Sequence, residues 1–392
     1  MPPKLPIEKP EKFKLGHYRG VRLLSVGEFF CYATFPLKLN WRQLMDRWGT
    51  EPFEDLRPSP VDVFSELHHY TTLIGMEGIL SSNSLWATSY HFLNDSTEIV
   101  HIASYLEAAL APELDRYLRK ARKSLVPLDL AIAKYGGPRT FSRMLAHSFV
   151  GRHYDSLFRG LGPSGKIHCE PFIVSFCTHH GDAEYERNNG LLSQWRSYGA
   201  QEGVAIVFDT ARLVKWLSGE QERYDYLLLS LNEVFYNEGA QLFLKQFPVL
   251  IPTILRLGLN FVSTGFSDVA STGDIARLHD LALDGIPEFA ANICRFKHRG
   301  FREEREIRIV ACPILTDGPI RGRQLRKKQI MERGPRGVRY IALESAGNSS
   351  LKQAMTRVIV GPAENQKELA RKVGEAVGSE IQIVCSETPL LR

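Results

Sequence analysis

Cysteine is sparse and scattered in this 392-residue chain: six residues, Cys31, Cys169, Cys177, Cys294, Cys312 and Cys385, with no tight spacing among them. Three sit in apolar, strand-like runs, which reads as buried thiols in a reducing compartment and excludes a disulfide scaffold. The start of the chain, Met1-Pro2-Pro3-Lys4, has no apolar h-region, so no signal peptide is expected. The longest greasy stretch, near residues 250–262, is broken by Pro252, Arg256 and Asn260 and is too short to span a bilayer. A soluble cytoplasmic protein with no membrane partner is the expectation. No glycine-rich loop follows a strand, which disfavours a Rossmann or P-loop site. His168, Cys169, Cys177, His179 and His180 fall within 13 residues, but without the CxxC or HxxxH spacing of zinc sites, so no bound metal is expected. Internal repeats and low-complexity blocks are also lacking.

What is present is ordinary globular material, 44% hydrophobic and 24% charged, with a net charge of +5 and a pI near 8.8. That is enough apolar residue for a sizeable core in one large or two modest domains. The basic excess is local. Arg321, Arg323, Arg326, Lys327 and Lys328 fall in eight residues without an acid, a run suited to phosphates or to a solvated loop.

Residues 1–60 read as an N-terminal extension, a Pro- and Lys-rich loose arm followed by a docked segment, and residues 61–392 as the main domain. Residues 67–71 form a strand leading into a helix. Thr71 or Thr72 caps that helix, Leu73, Met76, Ile79 and Leu80 make its apolar stripe, and Asn83 closes it. Residues 84–89 are the next strand. Asp95 followed by Glu98 outlines a capping box for a helix running to about Leu125. Further strands are expected at 172–177, 203–209, 338–343, 357–362 and 381–385, with a helix over 366–377. Helical insertions are expected near 100–165 and 210–295, with one short strand at 233–236. The irregular alternation of strands and helices predicts an α+β fold with mixed sheets rather than a doubly wound one.

The stretch with most chemistry is 297–310. Its second half alternates, so Ile307 and Ile309 face the core while Glu304, Glu306 and Arg308 face the other way. Two carboxylates two residues apart on a strand are attached roughly 6–7 Å from one another at about 3.3 Å per residue. They tend to split their pKa values unless a cation such as Arg308 keeps both ionised. Such a pair suits a developing positive charge or a hydroxyl proton. The competing reading is a solvated edge strand with a self-cancelling charge ladder.

Several pieces occur in the order of one family. His69-Tyr70-Thr71, Leu85-Trp86-Ala87-Thr88, Asn94-Asp95 with Glu98, Val174-Ser175-Phe176, Trp195 and Tyr198, Lys297 with Glu304-x-Glu306-x-Arg308, and Val358-Ile359-Val360-Gly361-Pro362 together resemble the bacterial family DUF2971 over residues 64–390. That family is in turn similar to ADP-ribosyltransferases, which are built on a split mixed β-sheet. The resemblance implies an NAD-consuming enzyme that ADP-ribosylates a macromolecule or hydrolyses NAD, as a toxin-like or phage-defence effector with an inhibitory partner protein. It implies Glu306 as the carboxylate beside the anomeric carbon, stabilising an oxocarbenium-like state. Glu304 would serve the acceptor, and His69 would hold a ribose hydroxyl. Trp195 or Tyr198 would stack on nicotinamide. Tyr70, Thr71 and Ser175 would line the site, with Tyr90 a further candidate. Arg308, Arg302 or Lys297 would meet the pyrophosphate. Asn94 and Asp95 order the pocket loop or only cap a helix. The acceptor would be a nucleic acid if the run from Arg321 to Lys328 guides it.

The residues also admit structural roles. His69 reads equally as a strand-end histidine bonded to a carbonyl, and Trp195 and Tyr198 as core aromatics. Two other functions compete. A magnesium-dependent nuclease would use Asp95, Glu304 and Glu306 but needs a lysine where the strand has Arg308. A non-catalytic nucleic-acid-binding or regulatory module would use residues 321–339.

Overall fold

A computed structural model of the chain describes residues 58–93, 97–122, 132–133, 135–158, 170–179, 184–198, 202–236, 244, 251, 254–255, 293–313, 326–345 and 349–389. Except for its last three residues, 58–60, the expected N-terminal extension lies outside them, as does most of the expected insertion after residue 236.

After a short helix α1 (Pro60–Val63), strand β1 (Glu66–Thr72) runs into helix α2 (Leu73–Ser82). Thr72 keeps extended backbone, and its side-chain oxygen accepts the Gly75 N–H at 3.1 Å, which satisfies one of the donors a helix start leaves open. Asn83 ends the helix in the left-handed region, at φ 50°, where a short amide side chain is tolerated. Its Oδ1 then accepts the Leu351 N–H at 2.7 Å, tying the turn to a distant segment. Strand β2 (Ser84–Ser89) follows, then the long helices α3 (Thr97–Arg122) and α4 (Pro138–Phe158). Next come β3 (Phe172–Cys177), the short helices α5 (Glu184–Asn189) and α6 (Leu192–Tyr198), β4 (Gly203–Asp209) and α7 (Thr210–Arg223). The remainder is β5 (Tyr226–Glu233), β6 (Phe235–Tyr236), β7 (Phe296–Lys297), β8 (Glu306–Pro313), β9 (Met331–Arg333), β10 (Val338–Glu344), β11 (Met355–Val360), α8 (Gln366–Val377) and β12 (Gln382–Cys385).

The fold is α+β around one open, mixed sheet. Its main path is β12-β11-β4-β1-β3-β2-β10-β9, with β8 and β5 branching from β3. All its pairings are antiparallel except β11 with β12. β8 pairs with every residue of β3, so it fills one whole edge of that strand. β1 and β2 must therefore share the other edge. β1 touches it at Cys177 and β2 at Phe172 and Ile173, and the two branches part between them. The sheet forks at β3.

The two faces differ. Leu67, Phe176, Ile206, Phe208, Ile307, Ile309 and Val358 point into the larger core, which α2, α7 and α8 cover with Met76, Ile79, Leu213, Leu217, Leu369 and Val373. The opposite face holds a smaller apolar group, Tyr70, Cys177, Ala205, Val207 and Ile359, under Trp195 of α6.

Two sequence expectations are corrected here. Residues 226–233 were expected to be helical, yet they form β5 along β8. Tyr226-Leu227-Leu228-Leu229-Ser230-Leu231 has no alternation because both sides of the strand are buried, with Leu228 and Leu229 each almost inaccessible; such a run is ambiguous between helix and strand. The glutamate strand is interior, with β3 on one side and β5 on the other and every residue buried, so the solvated edge-strand reading fails.

Candidate functional site

Residues 293–306 fold back on themselves before entering β8. His298 opens a 3-10 turn over Arg299–Glu304 by accepting the Gly300 N–H on Nδ1 at 3.1 Å. Arg305 closes it in the left-handed region, at φ 43°. The Arg305 carbonyl accepts both the N–H and the hydroxyl of Thr178, at 3.2 and 3.1 Å. The turn is thus anchored to the end of β3. Glu304 consequently belongs to the turn and not to the strand, contrary to the alternating pattern expected for it.

The turn and the strand bring four charges together. Lys297, on β7, donates through Nζ to Glu304 at 2.6 Å and to Glu306 at 2.8 Å. Arg308 grips the Glu306 carboxylate with Nε at 2.7 Å and Nη2 at 3.2 Å, and its Nη1 donates to the Cys294 carbonyl at 2.6 Å. The Glu306 N–H donates to the Tyr236 hydroxyl at 3.0 Å, and the Lys297 ammonium lies over the Phe301 ring. Glu306 is 3% exposed and Arg308 2%, whereas the Lys297 and Glu304 side chains, at 12% and 16%, form the open side of the cluster.

Burial by itself would raise the Glu306 pKa, but Arg308 first and Lys297 second outweigh it and hold the carboxyl at about 2. Lys297 moves the other way: burial depresses it, yet Glu306 and Glu304 push it above the ordinary lysine value. Cys177, opposite Glu306 across the ladder, has its thiol pushed well up, by burial and then by the two glutamates. It is a buried thiol and not an activated one.

Of the other expected site residues, Ser175 is in register with Arg308 and stands beside the cluster on the same face, whereas His69 does not. His69 is in register with Ile206 and so lies on the face of the larger core, whereas Glu306 pairs with Cys177 on the opposite face. The His69 ring reaches across the fork to the Ser175 carbonyl at 3.0 Å; since a carbonyl only accepts, Nδ1 carries the proton. Burial lowers its pKa, against the opposing effect of that bond. His69 is the strand-end histidine bonded to a carbonyl, and Ser175 serves it through its backbone. Tyr70 and Trp195 are core aromatics. Their rings meet edge-on at 4.9 Å, the Tyr70 hydroxyl accepts the Leu191 N–H at 2.8 Å, and the Trp195 indole donates to the Asn189 carbonyl at 2.9 Å. A Cβ built on Gly361 would come within 2.8 Å of the Trp195 ring, so no planar ligand fits on that face of the indole. Thr71 is half-buried beside the start of α2, Tyr90 is buried at 2% exposure, and Arg302 is exposed on the 3-10 turn. Asn94, Asp95 and the side chains of Glu98 and Tyr198 lie outside the described residues.

The basic run is also redrawn. Arg321 and Arg323 lie outside the described residues. The strand after the run, β10, pairs with β2 and β9 and not with β8, so it does not return beside Glu306. Lys328 is buried, with its ammonium 2.8 Å from the fully buried Glu220 carboxylate and 3.7 Å from the centre of the Tyr224 ring. Lys327 is 3.7 Å from Asp225. Lys328 is an internal counter-ion and is withdrawn from any surface run; Arg326 and Lys327 remain exposed.

Sequence reasoning missed His68 and weighed His179 only as part of the ligand-rich stretch. His68, Cys177 and Glu306 stand in register on three neighbouring strands, and the His179 ring meets that of His68 edge-on at 4.4 Å. Only the pairing of β1 with β3 could have revealed this row, and no local pattern encodes it. Of the ligand-rich stretch at 168–180, only Cys177 and His179 are described. Among the described residues no group of three or more His, Cys, Asp or Glu is placed to hold a metal ion, and no helix is long and apolar enough to cross a membrane.

No curated protein and no solved structure matches the chain. Residues 194–309 match the model of the family described as "Protein of unknown function (DUF2971)". That stretch is shorter than the 64–390 of the sequence resemblance, but it contains Lys297, Glu304, Glu306 and Arg308. Through residues 194–309, the chain is similar to the DUF2971 family.

Proposed function

We propose that the cluster of Lys297, Glu304, Glu306 and Arg308 is the catalytic centre of an NAD-consuming enzyme of ADP-ribosyltransferase type. One observation supports it above others: Glu306 is kept ionised in a buried position by two cations bonded to it. A carboxylate already oriented and desolvated stabilises a developing oxocarbenium ion without reorganising, an effect typically worth about 3–4 kcal/mol. In this reading the bond between ribose and the pyridinium nitrogen breaks, and nicotinamide leaves as a neutral ring with the bonding electrons. Lys297 has a second carboxylate at hand in Glu304, so it can release Glu306 to a ribose hydroxyl and stay paired. Water or an acceptor hydroxyl then attacks the anomeric carbon, and Glu304, on the open side, takes its proton. In this reading Arg308, whose buried guanidinium is bonded to Glu306 and to the Cys294 carbonyl, holds Glu306 in place.

The test is incubation of the purified chain with labelled NAD, alone and with RNA, DNA or lysate. Nicotinamide release that falls in Lys297→Met and Glu306→Gln supports the reading. In Glu304→Gln, transfer should fall while hydrolysis persists. Absence of nicotinamide release under every condition overturns it. A second reading, a magnesium-dependent nuclease, gains from one observation: β7 supplies, as Lys297, the lysine that the strand itself lacks. Magnesium-dependent cutting of nucleic acid without NAD turnover would select that reading.

A further inference from the structure

We infer that His68 and His179, flanked by Arg187, Arg305 and Arg357, form an anion-binding site that takes the phosphates of a nucleotide beside Glu306. The identity of the nucleotide as a dinucleotide rests on the NAD reading above; the anion site does not.

The two imidazoles are placed as a ligand site would place them. His68 is 1% exposed, and its Nδ1 is buried with no hydrogen-bond partner. The Nε2 of His179 is likewise buried and unpartnered. Buried polar atoms are almost always bonded, so two open nitrogens on rings whose centres are 4.4 Å apart call for a common partner. The strand register sets their distance from the catalytic cluster. His68 lies two strands from Glu306, with Cys177 between, which at about 4.8 Å per strand is roughly 10 Å. That is a span suited to a nucleotide with its sugar at Glu306 and its phosphates at His68.

The charge of the surroundings decides between an anion and a metal. Paired imidazoles are also how many metal sites begin. Among the described residues, the full charges that act on the pair are guanidiniums: Arg357 and Arg187 on His68, Arg305 and Arg357 on His179. Arg357 is held by the Glu66 carboxylate from β1. Arg187 on α5 and Arg305 after the 3-10 turn are exposed, and the Arg305 backbone is fixed next to His179 by Thr178. Such a positive field repels a dication and attracts an oxyanion, and guanidinium forks match phosphate. Burial and those charges keep both rings neutral in the free protein, with His179 at about 4. A bound anion offsets the guanidiniums and favours the protonated rings, so binding must take up protons. Cys177, Glu306, Glu304 and Lys297 lie beyond His68 on the other side of the row, and the glutamates there are paired with Lys297.

The experiment is calorimetric titration of the full chain with sulfate, inorganic pyrophosphate, ADP-ribose and a single-stranded oligonucleotide, with histidine ring signals followed by NMR. Sulfate keeps its charge between pH 8 and pH 5.5, so its affinity should strengthen as pH falls over that range. Arg305→Gln, an exposed substitution, should weaken sulfate and ADP-ribose binding about tenfold, the effect of losing one charge-assisted bond. His179→Gln should weaken the pH dependence, leaving the part carried by His68, and it avoids the folding risk of replacing His68. ADP-ribose binding that persists in Glu306→Gln, where turnover is lost, separates this site from the catalytic reading. Absence of anion binding, or binding indifferent to Arg305 and His179, overturns the inference. Zinc binding that shifts both histidine signals overturns it in favour of a metal, and binding of the oligonucleotide alone overturns the assignment to a nucleotide.

Discussion

Replacing Glu306 by glutamine should cost the chain about 3 kcal/mol of stability at pH 7, before any effect on chemistry is considered. The magnitude follows from the site. The carboxyl titrates near 4.5 when free and at about 2 in the fold, a difference worth about 3 kcal/mol. An independent estimate agrees: removing one partner of a buried ion pair typically costs about 3–5 kcal/mol, because the other charge is stranded. Arg308 is that stranded charge, 2% exposed and unable to lose its proton. Glutamine keeps the shape of the side chain, but its amide end would point a donor at the donors of Arg308 or Lys297. Urea unfolding at pH 7, followed by tryptophan fluorescence, measures the loss. Near pH 2 the gap should shrink, as Glu306 itself becomes half protonated. Adding Arg308→Met should recover part of the loss, since a neutral pair replaces a buried cation that has lost its carboxylate. A single variant within 1 kcal/mol of the parent at pH 7 would refute the doubly paired carboxylate. Turnover assays of Glu306→Gln therefore belong well below its unfolding temperature, where lost activity is not mistaken for lost fold.

Three further outcomes follow from the same structure. Lys328→Glu sets a carboxylate against the buried Glu220 and should destabilise by about 3 kcal/mol or more, while Arg326→Glu, which is exposed, should stay within about 0.5 kcal/mol in thermal unfolding; equal and small effects would return Lys328 to the surface. Gly361→Ala sets a Cβ 2.8 Å from the Trp195 ring and 3.0 Å from the Gly203 carbonyl oxygen, neither of which can move freely, and should cost about 1–3 kcal/mol with a change in tryptophan emission; an unchanged urea midpoint would contradict the close packing. Stability should also fall with acid between pH 6.5 and 4: His179 drops from 6.5 to about 4 in the fold, and His68 and His69 are lowered too, so in that window the unfolded chain binds more protons and is favoured, and a urea midpoint no lower at pH 5 than at pH 7.5 would refute the neutral histidines.

The elements that were legible in the sequence are those whose signal is local. Thr72 and Asn83 bound α2 because a cap and a left-handed residue are written in single side chains, and Leu369, Val373 and Val377 mark α8 by spacing alone. The alternation of Ile307 and Ile309 against Glu306 and Arg308 was readable too, because a strand with a charged face repeats every two residues. Its burial was not, since burial depends on β5 arriving beside it, and Tyr226–Glu233 carries no alternation to announce a strand. The same distinction separates His69 from His68. Adjacent in sequence, they fall on opposite faces of β1, and only the single pairing of His68 with Cys177 decides which of them joins the row that ends at Glu306. A motif search naturally favours the histidine next to Tyr70 and Thr71. The ladder favours its neighbour, and it leaves His69 with a structural role. Where β1 and β2 part, the Ser175 carbonyl loses its strand partner, and the His69 ring supplies the missing donor. The fork therefore needs one histidine to hold it open and leaves the other facing the charged side, so replacing His69 should loosen the sheet and replacing His68 should change what the sheet binds.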